Sequence, residues 1–164
     1  MLKRALVTLF TAAEAFERLT SLSGAWDGTI EGEGGAVRVT YRTISGGRVV
    51  LETLFPGTDH EMLSIDLIDG DDVRMTHYCA MGNQPRFRLD RKTSTPGSLR
   101  FVFDGGTNLD PAKDAHVHDG RITLGTDGTM LAAWSYNKDG KPAGQHAMKV
   151  SRAPSPPAAP AVAH

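Results

Sequence analysis

This sequence predicts an all-β fold: an antiparallel up-and-down β-barrel of about ten strands, with a short N-terminal helix closing one end. Three observations lead there. Short stretches of apolar–polar alternation recur between residues 24 and 152, each of strand length. Gly- and Asp-bearing turn formers separate them, and no long helical period follows residue 22. Closure suits so many short hairpins, because a closed barrel leaves no strand edge unpaired.

The N-terminal segment, 1–15, admits two readings. Lys3-Arg4, the apolar run to Ala13 and the triplet Ala13-Glu14-Ala15 outline a short signal peptide with its cleavage site. Thr11 with Glu14 three residues on, and Ala12, Ala13, Ala15, Phe16 and Leu19 along one face, instead outline a capped helix over 12–21. The charged Glu14 inside the cleavage triplet favours the helix, and with it a cytoplasmic rather than a periplasmic or secreted location. The barrel is expected over 16–152. Residues 153–164 are rich in Pro and Ala, lack periodicity and are expected to be a disordered tail.

The strands are expected at 24–33, 36–45, 48–55, 60–69, 72–80, 86–93, 98–104, 114–124, 129–137 and 145–152. Gly34-Gly35, Gly46-Gly47, Asp69-Gly70-Asp71, Pro96-Gly97, Asp127-Gly128 and Asp139-Gly140 supply the turns between many of them. Alternation assigns an inner face to each. Trp26, Gly28 and Ile30 share one side of the first strand, and Val37, Val39 and Tyr41 one side of the second. Leu63, Ile65 and Leu67 select the inner face of the fourth, with Glu61 beside them. Val73 and Met75 do so in the fifth, Phe87 and Leu89 in the sixth, Leu99, Phe101 and Phe103 in the seventh. Ile122 and Leu124, then Met148 and Val150, complete the set. Carried along without slippage, these parities turn His77, Cys79, His116, His118 and His146 inward; a β-bulge would reverse the assignment beyond it.

Composition narrows the partners. A chain of 164 residues is one domain by size and long enough to bury a core. The formal net charge of −1 gives no electrostatic footprint for nucleic acid. No apolar run is long enough to enter a bilayer as a helix, so membrane insertion is not expected. The single cysteine cannot form an internal disulfide.

Four segments carry a resemblance. Leu22–Gly28 reads L-x-G-x-W-x-G, Glu52–Met62 reads E-T-L-F-P-G-T-x-H-E-M, Thr76–Arg86 reads T-H-Y-C-A-x-G-N-Q-P-R, and Thr107–His118 reads T-N-L-D-P-A-K-D-x-H-x-H. The set resembles bacterial lipocalin-like proteins of the calycin superfamily whose function is uncharacterised, over nearly all of 16–152. The resemblance implies a barrel whose closed end is marked by Gly24, Trp26 and Arg152, the arginine from the last strand packing over the tryptophan. It implies no activity. Nitrobindin-type barrels, which bind haem through a histidine, are a more distant analogy.

The polar residues leave several chemistries open. His77-x-Cys79 and His116-x-His118 are each spaced to project from one face of one strand. Together they would make a Cys-His₃ set suited to zinc or copper, with His60, Asp114 and His146 as further ligands or supports; haem is the less favoured cofactor. The alternative is a metal-free polar site with no cofactor. Asn83 and Gln84 at a barrel rim suit a ligand's carbonyl or amide, and Arg86 a carboxylate or phosphate, although turn geometry explains Gly82–Pro85 as well. Glu61 is either a buried acid–base residue or the exposed start of a strand. The leading expectation is a barrel that binds a small, partly apolar molecule, with His77, Cys79, Asn83, Gln84, His116 and His118 around it. A metal- or haem-dependent barrel, with redox or other enzymatic chemistry, is the alternative.

Overall fold

The structure, a computed structural model, describes residues 10–154. The expected signal sequence falls largely, and the expected tail almost wholly, outside them. One helix precedes ten strands: α1 (Ala12–Thr20), β1 (Gly24–Ile30), β2 (Ala36–Ile44), β3 (Val49–Leu54), β4 (Met62–Asp69), β5 (Asp72–Tyr78), β6 (Gln84–Leu89), β7 (Ser98–Thr107), β8 (His116–Leu124), β9 (Thr129–Lys138) and β10 (Lys141–Arg152). Each strand pairs antiparallel with its neighbour in sequence, and β1 pairs β10 to close the barrel.

The helix forms where its capping box predicts. The Thr11 side chain accepts from the Glu14 backbone N–H at 3.2 Å, and the Glu14 carboxylate accepts from the Thr11 backbone N–H at 2.8 Å. Ala12, Ala15 and Leu19 are buried on the face that meets β2, β4 and β5, so α1 plugs one end. Burying Leu19 and Leu22 stabilises that plug by about 1.5–3 kcal/mol each.

The same end is sealed by Trp26 and Arg152. Trp26 lies opposite Arg152 in the β1–β10 register, and its indole N–H donates to Leu22 O at 2.8 Å. The Arg152 guanidinium stands 4.5 Å over the Trp26 ring and donates to Ser21 O and Ser23 O. Gly24 has φ +122°, which L residues rarely adopt, and a Cβ there would meet the arginine at 3.3 Å.

Two strands depart from the expected parity. In β4 the buried residues are Ser64 and Asp66, whereas Leu67 is exposed and Leu63 and Ile65 are only partly covered on the outer face. The middle of this strand's inner wall is polar, so the apolar stripe Leu63, Ile65 and Leu67 marks its outside. In β8 the pairing with β9 shifts between Val117 and Gly120, so that His118 and Asp119 oppose Ser135 alone. This bulge reverses the parity beyond it.

Candidate ligand-binding site

The barrel encloses a cavity of about 750 Å³. Its walls are largely apolar. Leu54, Met62, Met75, Phe87, Val117, Ala132 and Met148 line it, with Trp134 and Tyr136 from β9. Trp134 reaches this position because Gly120 lies opposite it; a Cβ there would fall 2.1 Å from the indole. Phe87 packs edge-on against Trp134 at 5.2 Å between centroids. Ile30, Glu33, Phe55, Thr58, His60, Ala80 and His146 surround the other end, formed by the loops opposite α1. There His146 Nδ1 lies 3.2 Å from Glu33, and its ring meets Tyr136 edge-on.

The inner end of the cavity is polar, and one register row explains why. Tyr41 of β2 lies opposite Glu52 of β3, Glu52 opposite Ser64 of β4, and Ser64 opposite His77 of β5. Facing residues in an antiparallel sheet project to the same side, so all four point inward. The Tyr41 hydroxyl donates to Glu52 Oε1 at 2.5 Å, and Ser64 Oγ lies 3.0 Å from His77 Nδ1. Glu52, Ser64 and His77 line the cavity; Tyr41 lies behind them. One row nearer the closed end, between Val50 and Met75, stands Asp66. It is 1 % exposed, and its Oδ1 accepts no hydrogen bond from the described residues.

Burial dominates the electrostatics of this row. It raises the Glu52 carboxyl above the usual range, although hydrogen bonds from Ser64 and Tyr41 draw it partly back. Asp66 is pushed well above its ordinary value, first by burial and then by the charge of Glu52. The Tyr41 hydroxyl moves up for the same reasons. Burial lowers His77 to about 4, so its imidazole is neutral at pH 7.

Of the polar residues expected from the sequence to form the site, His77, His60 and His146 line the cavity. The others do not. Cys79 lies just beyond β5, half-buried, where its N–H donates to Asn83 O and its carbonyl accepts from Gly82 N–H. Asn83 is buried and donates to Ala115 O at 2.9 Å, tying this turn to the start of β8. Gln84 bonds Gly82 O and accepts from Asn108, so it too holds loops together. Arg86 points outward and is exposed. Glu61 is exposed before β4 and accepts from Gly57 N–H at 2.6 Å.

The bulge turns Val117 to the cavity in place of its two histidine neighbours. His116 is fully buried against Phe103 and His118, with Nδ1 2.8 Å from Asp114 O and Nε2 3.1 Å from His118 Nδ1. His77 meanwhile bonds Ser64. The expected set of His77, Cys79, His116 and His118 is therefore not assembled. Among the described residues, no three His, Cys, Asp or Glu side chains are placed to hold a metal ion.

No family model and no curated protein matches this chain.

Glu52, Ser64, Asp66 and Tyr41 were missed as a site, yet the hairpins contain the signal. Residues equidistant from a tight turn face one another. Reflection through Gly46-Gly47 pairs Glu52 with Tyr41, and reflection through Gly70-Asp71 pairs Ser64 with His77.

Proposed function

We propose that this protein is a lipocalin-like binding protein that holds a small, partly apolar molecule inside its barrel. The cavity carries the reading. At about 750 Å³ it falls within the span of small-molecule sites, and its apolar walls with a few convergent polar groups match what such sites need. Membership of the calycin superfamily belongs to the same proposal. The helix before β1, the Trp26–Arg152 pair and the four sequence segments support it. No catalytic step is needed to account for the cavity.

Titration with N-phenylnaphthylamine, a neutral fluorophore that brightens in apolar surroundings, tests this reading. One saturable site per chain is expected. Ala132→Phe, which places a ring in the cavity wall, should abolish the signal while a thermal melt shows the barrel intact. Should that variant not fold, displacement of the fluorophore from the wild type by excess decanol serves instead. Failure of the wild type to bind, or undiminished binding in a folded Ala132→Phe protein, contradicts the proposal.

A further inference from the structure

The inner end of the cavity contains an acid but no counter-charge. Glu52 opens into the inner end, Asp66 stands one row deeper, and no Lys or Arg among the described residues lines the cavity. Burying a carboxylate without a cation costs several kcal/mol, so the group either keeps its proton or waits for a positive partner. The surrounding hydrogen bonds do not complete the site. Glu52 is held by Tyr41 and Ser64, but Asp66 Oδ1 is buried and unpartnered. The side-chain hydrogen bond of His77 runs through Nδ1 to Ser64, while its ring borders the cavity.

We propose that the inner end of the cavity is a cation subsite, and that the bound molecule is a protonated primary amine on a largely apolar body. The inference rests on the binding reading above and names the ligand class for that site. An ammonium has three donors and no acceptor. The inner end offers acceptors in number: the Glu52 carboxylate, Ser64 Oγ and the neutral imidazole of His77. Phe87 and Trp134 add aromatic faces, which attract cations and pack apolar rings. A carboxylate head would meet Glu52, with Asp66 one row behind it and no cation at this end to neutralise it, and a plain alcohol would leave the acids without a counter-charge. The raised proton affinity of both carboxyls in the free protein agrees with a site that lacks its cation.

Phenethylamine, phenethyl alcohol and phenylacetate share one body and differ in head charge. Each is used to displace N-phenylnaphthylamine from the wild-type protein at pH 7. The amine should displace it at a concentration at least about tenfold lower than the alcohol, a difference of about 1.4 kcal/mol, and phenylacetate should be the weakest. In Glu52→Gln the amine's advantage over the alcohol should shrink to about threefold or less. Equal displacement by alcohol and amine, a preference for phenylacetate, or an advantage that survives Glu52→Gln overturns the cation subsite while leaving the cavity reading in place. Absence of fluorophore binding to the wild type overturns both.

Discussion

The buried neutral state of His77 makes the barrel sensitive to acid, and replacement by Gln isolates the effect. An ordinary histidine takes up a proton near 6.5, and so does His77 in the unfolded chain, whereas burial lowers it to about 4 in the fold. Between those values the unfolded chain binds the proton and the folded chain does not, so stability falls as pH falls. Linkage gives a loss of about 2 kcal/mol on going from pH 7 to pH 5 and about 3 kcal/mol by pH 4. The loss is complete below the folded value. Glu52 and Asp66 act with the opposite sign: their values are raised by burial, so their contribution is present in acid and is lost as pH rises through the folded values. Both acids remain in His77→Gln, whose amide keeps a hydrogen bond to Ser64 within reach. The difference in unfolding free energy between the two proteins therefore reports His77. Urea denaturation at pH 7, 6, 5 and 4 measures it. Wild type should lose about 2 kcal/mol relative to His77→Gln by pH 5. A difference that stays constant across this range would show that His77 is not buried in its neutral form.

Three further substitutions probe other parts of the structure. Asp66→Asn removes a buried, unpartnered carboxyl without changing its shape, so it should raise the melting temperature, and by more at pH 9 than at pH 5; thermal melts at the two pH values decide this. Gly120→Ala puts a methyl group into the space of the Trp134 ring, so it should cost about 1–3 kcal/mol in urea unfolding and shift the tryptophan emission. Arg152→Ala removes two hydrogen bonds and the cation–π contact over Trp26 at the closed end. Since the arginine is partly solvated, about 1–2 kcal/mol of stability should be lost, with fluorophore binding at the other end retained.

The sequence made the strands legible because their turns are marked. All ten expected strands are present, and the helix begins at its capping box. The site was less legible, for two physical reasons. In β4 the rule that apolar residues face inward selects Leu63, Ile65 and Leu67, but the inner wall there carries Ser64 and Asp66. Register through the Gly70-Asp71 turn, from the apolar face of β5, would have overridden that choice, since facing residues share a side. In β8 no residue type announces the bulge at His118-Asp119, so the spacing of His116 and His118 pointed to the wrong side of the sheet. The motif around Cys79 is a turn whose polar groups bind other loops. Of its residues only His77 and Ala80 reach the cavity.

Methionine methyl resonances report the occupied cavity directly. Met62, Met75 and Met148 line it, Met81 is exposed on a turn, and Met130 is buried outside the cavity. In a protein labelled at the methionine methyl groups, titration with phenethylamine should shift the Met62, Met75 and Met148 signals together, saturating at one equivalent, while Met81 and Met130 hold still. Saturable shifts confined to Met81, or no shift at any of the three lining methionines when N-phenylnaphthylamine replaces the amine, would contradict a binding site inside the barrel.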